Sequence, residues 1–146
     1  MRIFIDTNII MELLTNRSKA DIIDEIFDVC EEKGWSRYIS VGSFYTLTYL
    51  VERVLKQTYQ SRDKLMERLR YILSDILTAF DISPISSTHL MQGVNNLAFS
   101  DLEDSYQHQA AILAECDVLL TINNKDFKLV DNIKVLAPEE FKEEYL

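Results

Sequence analysis

Glycine is scarce in this chain, with only Gly34, Gly42 and Gly93 in 146 residues. Loops that cradle phosphates need clustered glycines so that backbone N–H groups can approach the ligand, and neither the P-loop nor the dinucleotide fingerprint is present. Cysteine is scarcer still. Cys30 and Cys116 sit inside apolar helical patterns with no second Cys or His at zinc-ligand spacing, which reads as two reduced core residues. No apolar run approaches the roughly 18 to 20 residues that cross a bilayer, and the opening residues lack the basic, apolar, small-residue order of a signal peptide. No membrane partner is expected, and the expected location is cytoplasmic. Positive charge is also in deficit, since 15 Lys and Arg face 24 Asp and Glu, a net charge of −9. That balance argues against a protein that simply coats nucleic acid, because phosphates are repelled over most of the surface. An enzyme acting on nucleic acid stays open, because clustered carboxylates can take up divalent cations and a bound cation inverts the local field.

What the chain has is length and apolar content for one core: 146 residues, 47% hydrophobic, read as a single domain over 1–146. Arg2 to Ile5 form a short β-branched and aromatic strand, followed by helical composition in "TNIIMELLTN". Ile22, Ile23, Ile26, Phe27 and Cys30 mark an amphipathic helix over Asp21 to Glu31 that Gly34 ends. "RYIS" is a second strand, "VGSFYTLTYLVERVLK" a largely buried helix, and Leu65, Leu69, Ile72 and Ile76 define another. "FDIS" reads as a third strand, "ISSTHLMQGVNNLAF" and "DLEDSYQHQAAILAE" as helices, "DVLLTI" and "IKVL" as strands, and "PEEFKEEYL" as a helix with Pro138 in its first turn. Strands alternating with helices imply crossover connections, hence an α/β fold with a mainly parallel sheet covered on both sides. No internal repeat, low-complexity tract or linker interrupts it.

In such a sheet, ligands gather beyond the carboxyl ends of the strands where chain order reverses. Asp6 ends the first strand. Thr121, Asn123 and Asp126 follow "DVLLTI", and Asp101, Glu103 and Asp104 open the helix that leads into it. Three distant segments therefore offer oxygen atoms to one edge, and hard divalent cations prefer such ligands. Ordinary roles compete for each. Asp6 or Thr7 can cap the following helix, Ser100 and Glu103 have the spacing of a capping box, and Asn123, Asn124 and Asp126 suit a turn.

The segments "IFIDTNII", "YIS", "DLEDSYQHQAAILAECDVLLTINNKDF" and "VLAPEEF", taken together and in this order, resemble the PIN domain family of metal-dependent ribonucleases, which includes VapC-type toxins of bacterial toxin–antitoxin pairs. The resemblance implies a three-layer α/β/α sandwich with a central, mainly parallel sheet and an acidic pocket for one or two Mg2+ or Mn2+ ions. By position, Asp6 and Asp104 look like principal metal ligands, Asp126 a further catalytic acid and Asp101 a supporting one. Thr7, Asn8, Thr121 and Asn123 would orient carboxylates or water. The implied activity is hydrolysis of RNA phosphodiesters, with an antitoxin protein as partner. The chain departs from the commonest family pattern twice. Six residues beyond Ser40, where many members carry glutamate, stands Thr46, and Glu52 lies too far along the helix to replace it. Asn123 stands where many carry aspartate.

Outside that set, basic residues concentrate between Arg53 and Arg70, which reads first as a solvated helix face. His108, four residues after Asp104, reads as an exposed histidine paired with an acid, and His89 likewise has no expected catalytic part. Tyr38, Phe44, Tyr45, Tyr49 and Tyr59 read as core or homodimer contacts before base-stacking platforms. The alternative to a ribonuclease is a PIN-type binding or scaffold module weakened in chemistry, which Thr46 and Asn123 favour. An aspartyl-phosphate mechanism on Asp6 fits less well, because the position two residues on is Asn8.

Overall fold

The computed structural model describes residues 1–127 and 130–146. Its strands are β1 (Arg2–Ile5), β2 (Ser36–Ser40), β3 (Asp81–Ser83), β4 (Val118–Leu120) and β5 (Lys134–Leu136), which form one sheet in the order β3-β2-β1-β4-β5 with every pair parallel. The helices are α1 (Thr7–Leu14), α2 (Ala20–Glu32), α3 (Val41–Leu55), α4 (Arg62–Ala79), α5 (Ser87–Val94), α6 (Leu102–Leu113) and α7 (Pro138–Tyr145).

Side chains alternate across a strand, and here both faces are apolar. Ile3, Ile5, Val118 and Leu120 pack with Ile26, Leu47, Leu69 and Phe141 of the helices on one side. Phe4 and Leu119 face Ala110, Ala111 and Ala114 of α6, with Phe99 and Phe127. The small alanines let α6 lie close to the sheet. The result is the three-layer α/β/α sandwich, and its chain order reverses between β1 and β4. Both cysteines are free and buried, one in each core layer. Among the described residues no helix is long and apolar enough to cross a membrane.

Several boundaries differ from the sequence pattern for local reasons. α1 stops at Leu14 instead of reaching Asn16, because the Thr15 hydroxyl donates back to the Met11 carbonyl and Asn16 takes a left-handed φ of 49°. Gly34, at φ 64°, turns the chain after α2. The helix expected to run on to Phe99 ends at Val94. There Asn95 donates its side-chain amide to the Met91 carbonyl and Asn96 accepts from the Ala98 N–H, so polar side chains satisfy the backbone and Phe99 turns into the core.

Candidate active site

The switch point between β1 and β4 carries a buried polar network centred on Asp6. Residue 6 continues the β1–β4 ladder, its N–H donating to the Leu120 carbonyl at 3.0 Å. Its carboxylate, only 5% exposed, caps α1 and accepts four bonds. Oδ1 receives the Thr7 N–H at 2.8 Å and Gln107 Nε2 at 3.3 Å, while Oδ2 receives Thr121 Oγ1 at 2.7 Å and Asn8 Nδ2 at 3.0 Å. Burial pushes the Asp6 carboxyl up from its ordinary value, and the bonds from Thr121, Gln107, Thr7 and Asn8 oppose that. The same partners tie the two strand ends together: Asn8 Oδ1 accepts from the Ile122 N–H, and Thr121 Oγ1 accepts from the Asn123 N–H. Asn123 thus reaches the network through its backbone, and its side chain lies at the exposed surface.

Gln107 has no counterpart in the sequence reading, yet it joins the two halves of the site. Its Oε1 accepts from Ser40 Oγ at 2.6 Å, and its Nε2 lies 2.5 Å from Ser43 Oγ and 3.3 Å from Thr7 Oγ1. A sequence signal existed, since Gln107 lies three residues beyond Asp104 and shares its helix face. Ser40 also caps α3, accepting from the Ser43 N–H.

Above this floor opens a cleft of about 550 Å3 whose lining includes Asp6, Thr7, Asn8, Thr46 and Asp104. Glu103, which the sequence offered to this edge or to a helix cap, lines it too, together with two charged groups that the sequence did not place there, Arg17 and Arg53. Neither arginine forms an ion pair among the described residues. The basic stretch is therefore not one surface. Arg62 bonds Glu52, Arg68 lies over the Tyr71 ring, and Arg53 lines the cleft.

Asp104 carries the electrostatic signature of the cleft. Partial burial, then repulsion from Asp101, Asp6, Asp126 and Glu103, pushes its carboxyl up to about 7. The expected Ser100–Glu103 capping box is not what starts α6. Asp101 is the cap, its Oδ1 accepting from the N–H groups of Glu103 at 2.9 Å and Asp104 at 3.4 Å. One position later than expected, the cap leaves the Glu103 side chain available to the cleft. Asp126 stands exposed in the short 3-10 turn Asn124–Phe127. Asp101 and Asp126 thus border Asp104 without lining the cleft.

His108 is not the exposed, acid-paired histidine of the sequence reading. It is 4% exposed, packs on Phe99 and places Nε2 2.8 Å from Asn132 Oδ1. Burial lowers its affinity for a proton. His89 is at the surface, its Nδ1 2.6 Å from Ser86 Oγ at the start of α5. Neither lines the cleft.

Could the acids hold a cation? Among the described residues, no three His, Cys, Asp or Glu side chains converge closely enough to bind a metal by themselves. The carboxylates of Asp6, Glu103 and Asp104 nonetheless share the cleft, and like charge from the neighbouring acids crowds Asp104. Mg2+ keeps several waters and is held through one or two carboxylates, so a two-acid site suits it better than a closed cage. Of the four bonds that Asp6 accepts, the 3.3 Å one from Gln107 at Oδ1 is the longest, and so the one that a cation would most readily displace.

The family profile of the PIN domain matches residues 2–125. The chain belongs to the PIN domain family. Solved structures agree on the fold: VapBC2 from Rickettsia felis bound to a DNA fragment from its promoter (TM-score 0.70, 20% identity, covering 94% of this chain and 98% of that one); DNA-bound VapBC from Salmonella typhimurium (0.70, 18%, 94% and 98%); and VapBC-1 from nontypeable Haemophilus influenzae (0.63, 17%, 95% and 99%). Comparison with curated proteins finds no match.

Proposed function

We propose that this protein is a Mg2+- or Mn2+-dependent endoribonuclease that hydrolyses RNA phosphodiester bonds, and that it is the toxin of a toxin–antitoxin pair. The observation that carries the reading is the pairing of opposite charges in one cleft: an acid cluster that raises Asp104 to about 7, beside Arg17 and Arg53. Carboxylates alone repel a polyanion, and arginines alone would suit any phosphate. Together they suit a phosphodiester approached through a cation.

Asp6 and Asp104 are the residues that would hold the ion, with Asp101 and Asp126 adding negative potential at its border. When bound, Mg2+ or Mn2+ supplies Lewis acidity to the phosphate and lowers the pKa of water. The chain supplies position. Thr121, Asn8, Gln107 and the Thr7 amide hold the Asp6 carboxylate in one orientation. Thr46 lines the same cleft, and the guanidinium groups of Arg17 and Arg53, which also line it, suit phosphate oxygens.

The test is purified protein incubated with RNA, with and without each metal, alongside Asp6→Asn and Asp104→Asn. Cleavage that needs metal and falls to background in both variants is expected. Unchanged cleavage in both would overturn the assignment. A second reading, a PIN-type binding or scaffold module, is favoured by Thr46 and by the exposed Asn123 side chain, two places where an acid would strengthen metal binding. RNA binding without cleavage at any metal concentration would select it. An antitoxin partner draws support from the VapBC neighbours, and a homodimer from Tyr45 and Tyr49, 74% and 62% exposed on α3.

A further inference from the structure

A second cavity, about 330 Å3, adjoins the acid cleft and shares Thr46 and Glu103 with it. Nothing in the proposed hydrolysis uses it. We infer that this cavity receives the nucleobase adjoining the phosphate held in the cleft, and that Glu103 accepts hydrogen bonds from the edge of that base. The inference rests on the nuclease reading and adds the feature of RNA that the site selects.

Four observations converge. The shared residues join the two spaces, so a phosphate beside Asp104 brings its own nucleoside to the opening. The volume is at the lower end of the roughly 300 to 1,000 Å3 range of small-molecule sites, suited to one ring system and not to a folded segment. One wall is apolar and aromatic, with Ile85, Leu90 and Tyr106, while Ser40 and Gln107 make the other polar. A base presents these same two characters, a π face and a polar edge, and unpaired RNA bases are bound by stacking and edge contacts.

The cavity is also preorganised. A Cβ on Gly93 would stand 2.8 Å from Tyr106 Cδ1, so α5 approaches closely enough to hold the ring in place. Ser105 fastens the same junction by donating to the Gly93 carbonyl at 2.8 Å. On the polar wall, Ser40 and Gln107 are bonded to each other, and the Gln107 amide is engaged by Ser43. That leaves Glu103, at the junction and without an ion pair among the described residues, as the charged acceptor open to a ligand, beside the Thr46 hydroxyl. A carboxylate offers two parallel acceptors. Guanine alone among the four bases presents two adjacent donors, N1–H and the N2 amino group, on its pairing edge. The geometry therefore points to guanine.

Two measurements test this. In the first, an RNA pool of random sequence is cleaved by the full chain with Mn2+, and the cut sites are sequenced for wild type, Glu103→Gln, Tyr106→Ala and Leu90→Trp, each checked by thermal melting. Leu90→Trp fills the cavity without touching a charge. Wild type should favour guanine at one position beside the cut by about ten-fold or more, the discrimination of a bidentate base contact. The preference should collapse in all three variants, with the loss falling mainly on guanine sites. A wild type without base preference, or a variant loss equal at all four bases, overturns the inference.

The second measurement needs no catalysis. Guanosine 5′-monophosphate should bind the wild-type chain about ten-fold tighter than the cytidine or uridine equivalents in calorimetry, and Leu90→Trp should abolish the difference. Equal binding of all nucleotides, or none, overturns the proposal and leaves the cavity to a protein side chain. The two ideas fail separately. Guanosine selection without any RNA cleavage would sink the nuclease reading alone, whereas metal-dependent cleavage without base preference or nucleotide selection would sink the base cavity alone.

Discussion

Asp6 and Asp104 are both acids of one cleft, but their surroundings give them opposite relations to stability. Asp6 accepts from four donors in a buried setting, so removing the carboxylate strands those donors. Asp6→Ala should cost about 1 to 3 kcal/mol in urea unfolding, the penalty for buried polar groups left unpaired. Asp104 accepts no such set and is crowded by like charge. Asp104→Asn should therefore raise the melting temperature of the metal-free protein while removing the rise that millimolar Mn2+ produces in wild type. The pH dependence follows from the direction of the shift. With its folded value near 7 against an ordinary 3.8, Asp104 holds its proton longer when folded, so its contribution to stability is full below about pH 4 and is lost as pH rises through 7. Metal competes with that proton. The metal-induced rise in melting temperature should thus be larger at pH 8 than at pH 6, and an equal rise at both would count against Asp104 as a ligand.

The junction of α5 with α6 is a close contact between elements beside the site. Gly93→Ala would force a methyl to within 2.8 Å of the Tyr106 ring, and overpacking of this kind costs about 1 to 3 kcal/mol. Urea unfolding should register that loss, whereas Gly42→Ala, whose Cβ would meet Ser40 Oγ at an ordinary 3.7 Å, should register much less. Elements with a strong apolar signal were legible from the sequence: β1, α2 and α3 fall within a residue of where their patterns put them and β4 inside its longer apolar run, because a helix stripe buried on one face and a strand buried on both each write a local signature. The end of α5 was not, because its stop depends on Asn95 and Asn96 bonding the backbone, a choice that composition alone leaves open. The start of α6 was displaced by one residue for a similar reason. Ser100, Asp101 and Glu103 all suit a helix start, and only the three-dimensional path decides that Asp101 caps. Gln107 was missed because its partners, Ser40, Ser43 and Asp6, come from segments more than sixty residues away. His108 was misplaced because helix spacing gives a face but not what covers it.

At the scale of the whole molecule, a net charge of −9 sets the terms on which it meets a polyanion. Arg17 and Arg53 are isolated positive points in the cleft of an acidic protein. Replacing either with alanine should weaken RNA binding uniformly across sequences and reduce the slope of log affinity against log salt by about 0.7 for a single strand. Filter binding between 50 and 200 mM salt reads both effects; an unchanged slope would remove that arginine from the phosphate track.

The strand order carries one more consequence. β1 is made well before its neighbour β4, which lies more than a hundred residues downstream, and the Asp6 carboxylate receives its shortest bond from Thr121, just past that later strand. A nascent chain still threaded in the ribosome at residue 115 has Asp6 without Thr121, and a sheet with one open central edge. Assembly of the Asp6 network is thereby deferred until the segment through Thr121 has left the ribosome.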